Sequence, residues 1–252
     1  MWKTAIGPIT AATCAWTRVV GCDWDADWDQ KKGPNMVPNG TVVHTIVMIR
    51  HGQYTPGSCD EERVLTSLGR EQAALTGKRL KELLDAKKLS PVRTFVCSTM
   101  ARASESGAII APYVQDDKTK VLWSELIREG ACYRPVPPIS EDKWPVTSED
   151  FYKDGSRIEA GFRAFIERPY LPEGTPEQEV AKLKSYTTIL CCHGNVIRYF
   201  LCRVLQISPE CWLRMAVDNA SYTIVDIHAS GKVSLRSMGN NSHFPPHMMT
   251  YS

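Results

Sequence analysis

The chain has 252 residues, 43% of them hydrophobic, enough to bury one substantial core, and carries a formal charge of +2 at neutral pH. Its Lys and Arg residues are spread along the length instead of gathered in blocks, which argues against a nucleic-acid partner. The cysteine count of nine is odd, includes no C-x-x-C pair and sets Cys191 beside Cys192, so a disulfide framework is disfavoured and a reducing compartment favoured.

Residues 1–22 contain Lys3 and Arg18, four threonines and no acid, the composition of a mitochondrial targeting or anchor-like segment and equally of an ordinary disordered N-terminus. No apolar run approaches the roughly 20 residues needed to span a bilayer by helix, so only a looser membrane association is left to this segment. Residues 23–40 then carry a tryptophan/aspartate cluster, Trp24, Asp25, Ala26, Asp27, Trp28 and Asp29, followed by a linker rich in glycine and proline.

A compact domain is expected over residues 41–252. Residues 42–49 are rich in β-branched side chains and read as a buried strand. Leucines at near-helical spacing among charges predict an amphipathic helix over 68–88. A short strand over 92–97, a helix over 101–113 and another short strand over 120–123 follow. Pro135, Pro137 and Pro138 mark an irregular crossing, after which 148–167 reads as helix. Residues 186–192 form a strong strand with a helix, 194–205, directly behind it. Residues 221–228 and 232–237, split by Ser230 and Gly231, read as a hairpin. This alternation predicts a three-layer α/β/α sandwich around a mostly parallel sheet, with ligands beyond the strand C-terminal ends.

At that edge the strands deliver Arg50 and His51, then Arg102, then His193. Such residues suit a phosphoryl group, which bears nearly two negative charges and three acceptor oxygens. Arginine forks bind it bidentately, and neutral imidazole is a nitrogen nucleophile near neutral pH. Gly52 is expected to let the backbone pass close to the bound phosphate.

The run Arg50-His51-Gly52, with the later Arg102 and His193, resembles the signature of the histidine phosphatase (phosphoglycerate mutase-like) superfamily. The stretches 126–130, 154–165, 195–203 and 244–246, with the tryptophan/aspartate cluster, are similar to a protein-phosphatase branch of it that works in mitochondria, at the outer membrane. That resemblance implies His51 as phosphoryl acceptor and Arg50, Arg102 and His193 as the phosphate clamp. It also implies Glu129 as general acid and base, with Glu125 as its local competitor. No metal or organic cofactor is implied, and Pro245 and Pro246 keep His243 and His247 off a shared helix face.

By the same resemblance Trp24, Asp25, Trp28 and Asp29 drive assembly into a homo-oligomer, a dimer or larger. The reading from composition places them outside the core as an anchor for a partner's pocket, against an aromatic turn lying on its own domain. The expected activity is hydrolysis of phosphoserine, phosphothreonine or phosphohistidine in proteins. Two alternatives stay open: a small-molecule phosphatase or mutase, and a non-catalytic oligomeric scaffold. A mutase needs extra basic residues, and residues 128–138 offer only Arg128 and Arg134. Trp123, Trp144 and Trp212 read as packing, and Cys97 and Cys191 as inert core thiols.

Overall fold

The computed structural model describes residues 23–31, 42–140, 142–170 and 183–251. The targeting-like reading of 1–22 and most of the predicted linker lie outside the described residues. Six strands form one sheet in the order β3-β2-β4-β1-β5-β6. They are β1 (Val43–Arg50), β2 (Val92–Ser98), β3 (Lys120–Ser124), β4 (Tyr186–Cys192), β5 (Tyr222–His228) and β6 (Val233–Asn240). Strands β1, β2, β3 and β4 pair in parallel, whereas β5 runs antiparallel to β1 and β6 antiparallel to β5. The predicted hairpin is this antiparallel edge.

Strand periodicity sorts the core into two layers. Val47 and Ile49 of β1, Phe95 and Cys97 of β2, and Ile189 and Cys191 of β4 pack with Ala73, Leu80 and Ile110 of helices α1 (Ser67–Asp85) and α2 (Ala101–Val114). Ile46 and Met48, Val96, and Leu190 and Cys192 point to the other face. There they meet Ile158 and Phe162 of α3 (Ser148–Phe165) and Val196, Ile197 and Phe200 of α4 (Gly194–Val204). Capping fixes where two of these helices begin. The Thr66 side chain accepts from the Gly69 amide at the start of α1, and Thr147 with Asp150 forms a reciprocal capping box on α3.

The tryptophan/aspartate cluster corrects the expectation that it stands outside the core. Trp28 is only 7% exposed, packs against Phe162 and donates its indole N–H to the Gly231 carbonyl at 3.0 Å. Asp29 is also buried, accepting from Arg168 Nε at 2.8 Å and from the Arg168 amide at 2.8 Å. The cause is Arg168, whose fully buried guanidinium needs a carboxylate partner. Gly231, at φ +86° in the β5–β6 turn, is what lets that guanidinium in, since a Cβ there would lie 2.7 Å from Arg168 Nη1. Trp24 differs from Trp28 in staying 45% exposed, with the neighbouring Asp25 backbone held by the Gln206 side chain.

Candidate active site

His51 follows the last residue of β1, where the strand leaves the sheet. Its amide donates to Cys192 O of β4 at 3.0 Å and its carbonyl accepts from Ala220, so the backbone is pinned on both sides. The ring is buried, and Nδ1 lies 2.8 Å from Gly52 O. A carbonyl only accepts, so Nδ1 carries the proton and Nε2 keeps its lone pair. Onto that Nε2 Arg102 donates its Nε–H at 3.1 Å. Burial, then the charges of Arg102 and Arg50, hold the His51 pKa well below the ordinary imidazole value, so the ring is neutral at physiological pH.

Arg102 occupies the first turn of α2, buried, with its guanidinium 4.8 Å from the Tyr54 ring. Asp60, from the loop preceding α1, lies 3.5 Å from Arg102 Nη1 and also accepts from the Ala101 amide at that helix start. Arg50 is anchored by donation from Nη1 to Val217 O at 2.7 Å. His193 caps α4, its ring centroid 5.1 Å from that of His51 and its Nε2 2.8 Å from Ser98 Oγ. Its Nδ1 is buried with no partner among the described residues, an arrangement suited to a group that meets a ligand. Burial first, then the neighbouring His51 ring and the charges of Arg102 and Arg50, hold the His193 pKa well below the ordinary imidazole value, so it too is neutral.

The four residues expected to grip a phosphate are thus brought together, and Glu129 joins them. It follows a 3-10 turn, Glu125–Ile127, and its carboxylate accepts from the Gly130 amide at 3.2 Å. Burial raises its pKa above the ordinary carboxylate value, opposed mainly by Arg102 and then by the Gly130 amide and Arg50. Glu125 points elsewhere: its side chain is 66% exposed and pairs with Arg128 at 3.4 Å. The turn is held by Arg157 of α3, which donates to the carbonyls of Glu125, Arg128 and Glu129 at 3.1, 2.8 and 3.0 Å. Sequence reasoning missed Arg157.

Arg50, His51, Arg102 and Glu129 line a cleft of about 600 Å³ that also takes in Tyr54, Arg63, Lys143, Trp144, Asn195, Arg198 and Trp212, with the fully buried His193 behind the His51 ring. Arg63, Lys143 and Arg198 are basic residues that the sequence reading did not assign to the site. Arg198 alone carried a usable signal, sitting one turn into the helix that His193 caps. Trp212 is buried packing as expected, while Trp144 is a cleft wall and Trp123 is 62% exposed, neither of which fits packing alone. Gly52 also has a structural reason that the sequence did not reveal. A Cβ there would meet the Gly69 carbonyl oxygen at 2.4 Å, so the glycine serves close approach to the first turn of α1. Among the described residues no cluster of His, Cys, Asp and Glu is placed to hold a metal ion. His243 instead bonds Thr76 Oγ1 at 2.9 Å, while His247 is exposed.

A doubly layered α/β sheet with arginines and two neutral imidazoles converging at its C-terminal edge defines the class, that of the histidine phosphatases. The family model for the histidine phosphatase superfamily (branch 1) matches residues 173–241. A phosphoglycerate mutase of Plasmodium falciparum superposes with a TM-score of 0.52 at 27% identity, covering 84% of this chain and 99% of that one. Another, from Bacillus anthracis, shares the fold with a TM-score of 0.54 at 19% identity, over 81% and 96% of the two chains. The mitochondrial serine/threonine-protein phosphatase PGAM5 of Xenopus tropicalis is 43% identical over 244 residues, 88% of this chain and 81% of the relative. The Drosophila ananassae protein of the same description is 36% identical over 270 residues, 96% of this chain and 88% of the relative. The chain belongs to this PGAM5 family, within the histidine phosphatase superfamily.

Proposed function

We propose that the chain is a serine/threonine-protein phosphatase working through a covalent phosphohistidine at His51. The observation that carries this is the His51 Nε2 lone pair, exposed by the Nδ1–H···O=C bond to Gly52 and faced by Arg102 at 3.1 Å. When a phosphomonoester enters, Arg102 transfers its N–H donation from that lone pair to a phosphate oxygen. Arg50 and His193 take the others, and Nε2 attacks phosphorus. The P–O bond to serine or threonine breaks as Glu129, in its acid form, protonates the departing oxygen. Glu129, now a carboxylate, takes a proton from water, which attacks the phosphohistidine and releases inorganic phosphate and neutral His51. Phosphohistidine substrates fit the same sequence.

Names of the relatives supply the substrate class, serine/threonine-protein phosphatase. A second reading, as a small-molecule phosphatase or mutase, draws on Arg63, Lys143 and Arg198 at the cleft wall, basic residues of the kind that hold a second anionic group. Turnover of a phosphoserine peptide against a phosphorylated triose separates the two. A preference for the triose by kcat/KM overturns the protein-phosphatase reading.

The proposal extends to place and assembly. The same names, with the acid-free composition of residues 1–22, support a mitochondrial location, and attachment at the outer membrane is tested by protease protection of isolated organelles. Trp24, exposed beside the buried Trp28, supports homo-oligomer formation through Trp24 and Asp25, with Trp28 and Asp29 fixing the segment to its own domain. Trp24→Ala should lower the oligomer mass in light scattering without loss of fold; unchanged mass removes the motif from assembly.

A further inference from the structure

Beside the catalytic cleft lies a second groove of about 450 Å³, lined by Arg134, Pro135, Val136, Pro138, Val146 and Phe151. Two further residues, Ile139 and Trp144, line both spaces, so a chain leaving the cleft passes over them into the groove. The groove is preformed. Trp212 Nε1 donates to Tyr133 O at 2.8 Å, the Val136 amide donates to Glu210 O at 3.0 Å, and Arg214 donates to Val136 O at 2.8 Å. These bonds fasten the proline-rich segment to Pro209–Arg214. On the far wall Trp144 meets Phe151 edge to face at 5.7 Å and Trp212 at 5.8 Å, which fixes the ring that divides the two spaces. Between the exposed charges of Arg134 and Glu210 the groove offers apolar surface to solvent, with Val136 44% and Ile139 37% exposed.

A free phosphate or a phosphorylated triose has no apolar part to occupy this groove. A polypeptide does: successive residues advance about 3.3 Å, so neighbours of the phosphorylated residue reach past the shared wall. We infer that this groove is a specificity site of the phosphatase, seating a large apolar side chain of the substrate polypeptide close to its phosphoserine or phosphothreonine. The inference rests on the protein-phosphatase reading and sharpens it, since continuity with the catalytic cleft is what selects the substrate's own chain as the occupant. Proline carbonyls and aromatic faces without a ladder of free amides recognise side-chain bulk more than sequence-long backbone pairing, as in grooves that take a few anchor residues.

The test uses the full chain and two substrates. p-Nitrophenyl phosphate is too small to leave the cleft, so it reports on chemistry alone. A phosphoserine peptide of otherwise Gly, Ser and Ala composition, with one Leu moved through the flanking positions, reports on the groove. With the unmodified enzyme, kcat/KM should rise about tenfold when Leu reaches one register, mostly through KM. Val136→Asp and Val146→Asp should each remove that preference while p-nitrophenyl phosphate turnover stays within about twofold. A flat Leu scan overturns the inference whatever the variants do, as does equal loss on both substrates. Lower oligomer mass in Val136→Asp with the Leu preference intact assigns the groove to a second copy of the chain and also overturns it. Turnover of p-nitrophenyl phosphate with no turnover of any phosphopeptide sinks the protein-phosphatase reading itself, a result distinct from a flat scan.

Discussion

Replacing Glu129 by Gln keeps the shape of the cleft wall and removes a proton that the first half of the reaction needs. Burial raises the Glu129 carboxyl above its usual value, so its acid form survives to higher pH than an exposed glutamate's would. The amide cannot donate a proton to an alkoxide. Serine and threonine are poor leaving groups without one, and proton transfer of this kind is worth about 10²- to 10⁴-fold, or about 3 to 5 kcal/mol of barrier. p-Nitrophenolate departs unaided, so in the Gln variant it should still be released in a burst equal to the enzyme present. Slow turnover follows, because water then has no base. A phosphoserine peptide should give no burst, its phosphorylation step being slowed by the full factor. The pH profile adds a sign. For the wild-type enzyme kcat/KM rises as pH climbs through the depressed His51 pKa, below 6.5, and falls as pH climbs through the raised Glu129 pKa, above 4.5. In the Gln variant the falling limb on phosphopeptide disappears. Rapid-quench kinetics showing equal slowing of the first step on both substrates would refute the role of Glu129.

Other consequences concern stability. Asp29→Ala leaves the Arg168 guanidinium buried without its carboxylate, which should cost about 3 to 5 kcal/mol and lower Tm by roughly 6 to 20 °C in calorimetry. An unchanged Tm means the segment is not docked on its own domain. Gly52→Ala forces a Cβ against the Gly69 carbonyl oxygen, and should cost about 1 to 3 kcal/mol and reduce turnover as His51 shifts; wild-type turnover contradicts the close approach. His44 is buried between Thr188 and the Glu167 carbonyl, and burial lowers its pKa from 6.5 to about 4. The unfolded chain takes up this proton more readily than the folded one. Its contribution, about 3 kcal/mol at most, is therefore present above pH 6.5 and lost as pH falls toward 4. Urea midpoints that rise on acidification through that window contradict this.

Much of the fold was legible because strands such as Tyr186–Cys192 are short apolar runs that stop at a charged or imidazole residue. Arg50, His51 and His193 could be read as a site for the same reason: each stands at a strand's C-terminal end, and Arg102 opens the helix that follows one. The docking of Asp29 was not legible, since its partner Arg168 lies 139 residues away and nothing local marks a buried guanidinium. Arg63, Lys143 and Trp144 come from irregular segments with no periodicity to orient them. Only the folded chain shows that these segments wall the cleft, and that Trp144 is shared between the cleft and the neighbouring groove. The structural reason for Gly52 was hidden in the same way, because Gly69 meets it across a turn.

The most direct measurement is to quench the enzyme during turnover of a phosphopeptide, digest it under alkaline conditions that preserve phosphohistidine, and locate the phosphoryl group by mass spectrometry. An acid-labile phosphoryl on His51 is expected, assigned to Nε2 by phosphorus NMR and lost in His51→Ala together with turnover. A phosphoryl group on any other residue, or hydrolysis at the wild-type rate by His51→Ala, contradicts it.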